Sequence, residues 1–236
     1  MGDAGGGPRG RVDLNADLGE EVTDDVALLA VVTSANVACG YHAGTTATMH
    51  AVCAEAVRRG VSVGAQVSYA DREGFGRRRT DVAAAVLREQ VADQVGTLTA
   101  IAAAEGTEVR YLKPHGALYH RVIDDAEQAQ AVLDASGTLP LLGMPGLLLR
   151  LAADAGRTVW HEGFPDRAYD EAGRLVPRDQ PGAVLVEGER ITAQALALAA
   201  RVDSLCVHGD EPDAVAHARD VRRVLEAAGW SLVGLG

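Results

Sequence analysis

Short runs rich in valine and leucine alternate along this chain with longer stretches whose apolar residues recur every three or four positions. Strands followed by crossover helices produce that alternation, and it predicts a parallel sheet. Strands are expected at Val12 to Leu14, Val31 to Val37, Val61 to Ala65, Val109 to Leu112, Leu139 to Leu142, Thr158 to His161 and Leu205 to Val207, with Leu232 to Leu235 as an eighth candidate. Between them, Met49, Val52, Cys53, Ala56 and Val57 form one helical stripe that Gly60 ends. A longer helix is predicted from Asp81 to Glu105, with Val82, Val86, Val91, Val95, Leu98 and Ile101 inward and Gly106 as its stop. Pro145 opens a helix through Leu148, Leu151 and Ala152 to Gly156, and Pro212 opens another through Val215, Ala218, Val221 and Leu225 to Gly229. Only Gly163 to Gly182 lacks periodicity, which marks a long loop.

A chain of 236 residues with no linker suits one α/β unit, a TIM-like (β/α) barrel of seven or eight parallel strands over residues 12–236. Residues 1–11, rich in glycine, read as a flexible tail. With 47% hydrophobic and 23% charged residues, the composition is that of a soluble globular protein. A net charge of −11 argues against nucleic acid or an anionic membrane as partner, so an anion must bind at a local arginine cluster. Three cysteines without CxxC spacing support neither a disulfide framework nor a cysteine-rich zinc site, and point to a reducing cytoplasm. No apolar leader or membrane-length run appears in the sequence.

Nearly every predicted strand runs straight into polar residues and glycine. In a parallel barrel those carboxyl-terminal ends form the face on which sites are built. VDLNADLGE offers Asp13, Asn15, Asp17 and Glu20; ANVACGYHAGT offers Asn36 and His42; GAQVSYAD offers Gln66, Tyr69 and Asp71. KPHGALYH adds Lys113 and His115, WHEGFPDRAY adds His161, Glu162, Asp166 and Arg167, and CVHGDEP adds His208 and Asp210, the last reading equally as a helix N-cap. Lys113 is the sole lysine among 22 basic side chains, and a desolvated ammonium can lose its proton near neutral pH. His42, His115 and His208 share one place, just after a strand and close to glycine, whereas His50 and His217 fall within helical runs and read as solvated. GFGRRRTD groups Arg77 and Arg78, which suit a carboxylate or phosphate and equally suit ion pairs with nearby aspartates. The chain has no Walker phosphate loop, no G-x-S-x-G elbow and no HExxH helix.

With these residues assembled, the chain resembles the LamB/YcsF family. VDLNADLGE is similar to the family's DLNCDLGE, SANVACGYHAG to SANIACGFHAG, and YADREGFGRR to YPDLxGFGRR; YLKPHGALYH, EGFPDRAYDEAGRLVPR and CVHGD also follow its pattern, from Val12 to Leu235. The resemblance implies a barrel of the glycoside hydrolase/deacetylase type that works with two partner subunits to open 5-oxoproline to glutamate, using ATP with Mg²⁺. A rim of carboxylates, imidazoles and one lysine suits that chemistry. Asp17 or His42 is the candidate base on water, Lys113 offsets charge on the carbonyl or phosphate oxygen, and His115 protonates the leaving nitrogen. Asp13, Asn15, Glu20, Asn36, Tyr69, Arg77, Arg78, Glu162, Arg167, His208 and Asp210 are expected to bind substrate or phosphate. Two departures stand out: Thr45 and Thr46 where the family reads HAGDP, and Gln66 and Val67 where it reads GAHPSY. A hydroxyl and an amide are poorer donors than a carboxylate and an imidazole, so no tightly bound metal is expected. The alternatives are a metal-dependent polysaccharide-type deacetylase, and a non-catalytic binding or assembly subunit or divergent paralogue.

Overall fold

The computed structural model describes residues 10–209 and 213–236. Seven strands, β1 (Gly10–Leu18), β2 (Ser34–Ala38), β3 (Ser62–Val67), β4 (Val109–Pro114), β5 (Leu141–Gly143), β6 (Val159–Gly163) and β7 (Ser204–Val207), pair in parallel in chain order. Because β1 pairs with both β2 and β7, the sheet closes into a seven-stranded barrel. β8 (Trp230–Leu232) pairs with Gly10 to Val12 of β1 and lies outside the ring. The eighth expected strand therefore starts at Trp230 rather than Leu232 and adds no stave. Its indole covers Gly10, where an added Cβ would lie 3.0 Å from the ring. Gly10 and Arg11 belong to this pairing and not to a tail, while residues 1–9 of the expected tail lie outside the described residues.

Helices α1 (Asp25–Leu29), α2 (Thr46–Arg59), α3 (Ala84–Ala104), α4 (Gly116–Asp124), α5 (Ala126–Ala135), α6 (Leu147–Asp154), α7 (Gly188–Ala199) and α8 (Ala214–Ala227) surround the barrel. Four of these, α2, α3, α6 and α8, are the helices the periodicity predicts. In α2 the stripe Met49, Val52, Cys53 and Ala56 is buried, but Val57 is exposed; in α3 the inward place falls to Leu87, one residue beyond the exposed Val86. The Pro212 start of α8 lies outside the described residues. α1 is too short to show a period, and α5 and α7 are rich in alanine, which carries little contrast between their faces.

Successive strand residues face opposite sides. Leu14, Ala16, Val37, Ala65 and Leu205 pack outward against the helices as one apolar layer, while the alternate residues of β1, Asp13, Asn15 and Asp17, face the axis. The barrel interior is thus polar. Its lower end is plugged by Tyr111, Leu142, Trp160 and Leu235. Gly64 makes the plug possible, since a Cβ there would lie 2.2 Å from the Tyr111 ring. Just above, Asp13 accepts from Thr33 and Ser34 at 2.7 Å each and from Ser204. Burial pushes its carboxyl up to about 6 in spite of those three hydroxyls. Asn15 donates to Glu162 and Ser204, and Asn36 donates to Asn15 and Asp17 while accepting from the Tyr111 hydroxyl at 2.7 Å.

Candidate active site

Above that layer, Gln66 and Lys113 sit side by side in the register of β3 and β4. Lys113 Nζ lies 2.8 Å from Glu162 Oε1, 3.1 Å from Asp17 Oδ1 and 3.1 Å from Cys206 Sγ. Burial opposes the charge, but the Asp17 and Glu162 carboxylates outweigh it and hold the ammonium well above its ordinary range. The lone lysine is therefore held as a cation, the form that its expected role of offsetting oxygen charge requires. Asp17 is the converse. Burial works against ionisation, yet Lys113 and His115 hold its carboxyl well below the usual range. Burial keeps the Cys206 thiol protonated, raising it far above its ordinary value despite the adjacent ammonium.

Behind Asp17 stand two imidazoles. His42 and His115 stack with centroids 4.1 Å apart, and Phe75 meets both edge-on. The His115 Nε2–H donates to the Phe75 carbonyl at 3.1 Å, and its Nδ1 accepts from Gln66 Nε2 at 2.9 Å. Phe75 holds that carbonyl in place from a left-handed backbone, φ 55°, which is uncommon outside glycine and is often found at functional sites. Burial, with His115 adding to it, lowers the His42 pKa, so the ring is neutral near pH 7. Among the described residues, Glu20, His42 and His115 form one group able to hold a metal ion.

A cavity of about 520 Å³ opens over this floor. Buried Asp17, Lys113 and His115 line its base, exposed Arg77 and half-buried Arg178 line its mouth, and buried Arg167 lies in its wall. The long loop, running from Phe164 to Glu187, is ordered by Arg167, whose guanidinium donates to the carbonyls of Ala183 and Val176. His208 stacks on Phe164 and pairs with Asp166 at 3.0 Å.

Of the expected site residues, Asp17, Lys113, His115, Arg77, Arg167 and His208 reach the cavity. Glu20, His42 and Glu162 are buried beside its floor, and Asp13, Asn15 and Asn36 are sealed in the interior below. Tyr69 turns away, its hydroxyl donating to Gln128 of α5 at 2.9 Å, because the chain has left β3 and lost the strand's alternation. Arg78 pairs with Asp71 and Glu73 outside the cavity, whereas its neighbour Arg77 lines it. His161 points outward to Asp203, and half-exposed His50 pairs with Glu105 at 2.7 Å instead of standing free in solvent. Asp210 lies outside the described residues. Sequence reasoning missed His120 and Arg178, both on the cavity wall; the signal for each was its place inside a family-like stretch, YLKPHGALYH for one and EGFPDRAYDEAGRLVPR for the other. The two departures also differ in kind: exposed Thr45 caps α2, whereas Gln66 is fully buried inside the site.

The family model described as LamB/YcsF matches residues 12–236. The chain belongs to the LamB/YcsF family. A relative from Streptomyces avermitilis, named as the A subunit of 5-oxoprolinase, is 52% identical over 242 residues, covering 92% of this chain and 97% of the relative. The crystal structure of a lactam utilization protein from Thermus thermophilus superposes with a TM-score of 0.89 at 35% identity, over 95% of this chain and all of that one. The catalytic domain of a peptidoglycan N-acetylglucosamine deacetylase from Eubacterium rectale shares the barrel, with a TM-score of 0.56, 11% identity, and coverage of 98% and 90%. That last likeness is one of fold alone.

Proposed function

We propose that this LamB/YcsF chain is the A subunit of an ATP-dependent 5-oxoprolinase and opens 5-oxoproline to glutamate together with two partner subunits. The reading is carried by one ammonium, Lys113, set between two carboxylates on the floor of a cavity whose mouth is lined by guanidiniums. The names of relatives near half identity point the same way. A five-membered lactam is a stable amide, so its carbonyl needs activation before water can attack. The guanidinium donors fit a carboxylate or a phosphoryl group, and ATP with Mg²⁺ supplies the phosphoryl group in the assembled complex. Arg77, Arg167 and Arg178 hold the anionic end of the substrate, which turns its carbonyl toward the floor.

Of the two candidate bases, Asp17 reaches the cavity and His42 does not, so Asp17 orients the attacking water and takes its proton. Oxygen charge that develops on the carbonyl meets Lys113 Nζ. As the carbon–nitrogen bond breaks, His115 passes a proton to the ring nitrogen, which leaves an acyl phosphate that a second water hydrolyses to glutamate and inorganic phosphate. Asp17→Asn keeps the shape of the side chain and removes the base; co-expressed with its partners, it should lose about 10²–10⁴-fold of ATP-dependent glutamate formation. Undiminished turnover in that complex refutes the assignment.

A further inference from the structure

We propose that Glu20, His42 and His115 bind one divalent transition-metal ion beside the cavity floor, and that the Gln66 amide guards the position. With the ion bound, His115 Nδ1 is a ligand, and the proton for the leaving nitrogen returns from Asp17, which took it from the attacking water. Glu20 Oε1 is 3.5 Å from His42 Nε2 and 3.6 Å from His115 Nδ1, and the three residues each bring a ligand atom within 4.8 Å of the others. Four donors at about 2.1 Å around a tetrahedral ion lie roughly 3.4 Å apart. Two of the three separations are therefore already at coordination spacing.

Three further observations agree. His42 is 1% exposed and, among the described residues, neither of its ring nitrogens makes a hydrogen bond, its Nε2 standing 3.5 Å from Glu20 Oε1, a costly state for a buried imidazole unless something else engages it. His115 is oriented as a ligand, because donating its Nε2–H to the Phe75 carbonyl leaves the Nδ1 lone pair facing Glu20. The buried cluster also holds three carboxyl groups, on Asp17, Glu20 and Glu162, against one ammonium. A divalent ion supplies the missing positive charge. Imidazole with carboxylate suits zinc and its neighbours better than magnesium or calcium.

Gln66 sets the affinity. Its Nε2 donates to Glu20 Oε1 at 3.0 Å and to His115 Nδ1 at 2.9 Å, occupying the lone pairs an ion needs, while its Oε1 has no hydrogen-bond partner among the described residues. An entering ion displaces those N–H groups, so binding is exchangeable.

Chelator-treated, tag-free protein titrated with Zn²⁺ against a chromophoric competitor should take up about one ion per chain by elemental analysis. Glu20→Gln and His42→Ala should each weaken binding by about tenfold or more, Gln66→His should tighten it by about tenfold, and Thr45→Ala should leave it unchanged. Circular dichroism checks that each variant folds; Glu20→Gln and Gln66→His carry the test if His42→Ala does not. Absence of saturable uptake, or uptake equally tight in Glu20→Gln, overturns the site. A Gln66→His chain that binds no more tightly than the natural one overturns the guarding role.

Discussion

Asp13 and Asp17 lie on one strand and face the same axis, yet the first carboxyl is pushed up to about 6 and the second is held well below the carboxylate range. Both are buried, and the difference lies in their partners. Three hydroxyls cannot offset the desolvation of Asp13, whereas the Lys113 ammonium outweighs that of Asp17. Access differs as well: Asp17 lines the cavity, while Asp13 is enclosed by Thr33, Ser34 and Ser204. A polar residue inside a barrel thus marks a reactive position only where it meets both a charge and an opening. The lower layer ties the staves together and the upper one faces the cavity.

The hardest test of this contrast is Lys113→Met. Removing the cation leaves Asp17 and Glu162 buried without it, and unfolding in denaturant should register a loss of about 3–5 kcal/mol. A loss below about 1 kcal/mol would show that charge pairing does not hold the upper layer. Next comes pH. Since the folded pKa of Asp13 is raised from 3.8 to about 6, the native state binds a proton that the unfolded chain has released. Its contribution is present below pH 3.8 and is lost as pH rises through about 6, a change of about 3 kcal/mol. Asp13→Asn should flatten that slope when unfolding free energies of variant and natural chain are compared across the window; parallel curves would place the titration elsewhere. Smallest is Tyr111→Phe, which leaves Asn36 Oδ1 short of a donor and should cost about 1–2 kcal/mol with turnover of the complex retained. Turnover lost at constant stability would mean the layers are not separate.

Much of this was legible in the residues. Seven strands and the four helices with strong apolar stripes follow from periodicity, because bulky residues on one face leave a signal that alanine-rich α5 and α7 do not. Lys113, His115 and Asp17 were legible from their place at strand ends. What the chain order cannot carry is direction once a strand has ended: Tyr69 and Arg78 look equivalent to Gln66 and Arg77 in sequence, yet turn away from the cavity. Depth is hidden in the same way, since Asp13 and Asp17 are both buried polar residues on the inner face of β1 and only the partners contributed by other strands distinguish them. Thr45 and Gln66 repeat the lesson, one a helix cap at the surface and the other the centre of the imidazole cluster.

The turn after His115 ties two walls of the cavity together. Gly116 adopts φ 59°, and a Cβ there would lie 2.3 Å from the Gly76 carbonyl, which accepts from Ala117 N–H at 2.8 Å. The arginine loop and the start of α4 are therefore stapled as one lever. On the proposed function, Arg77 at the anionic end of the substrate and His115 at its leaving nitrogen thus sit on backbone segments joined directly to each other, so a change in one segment bears on both roles.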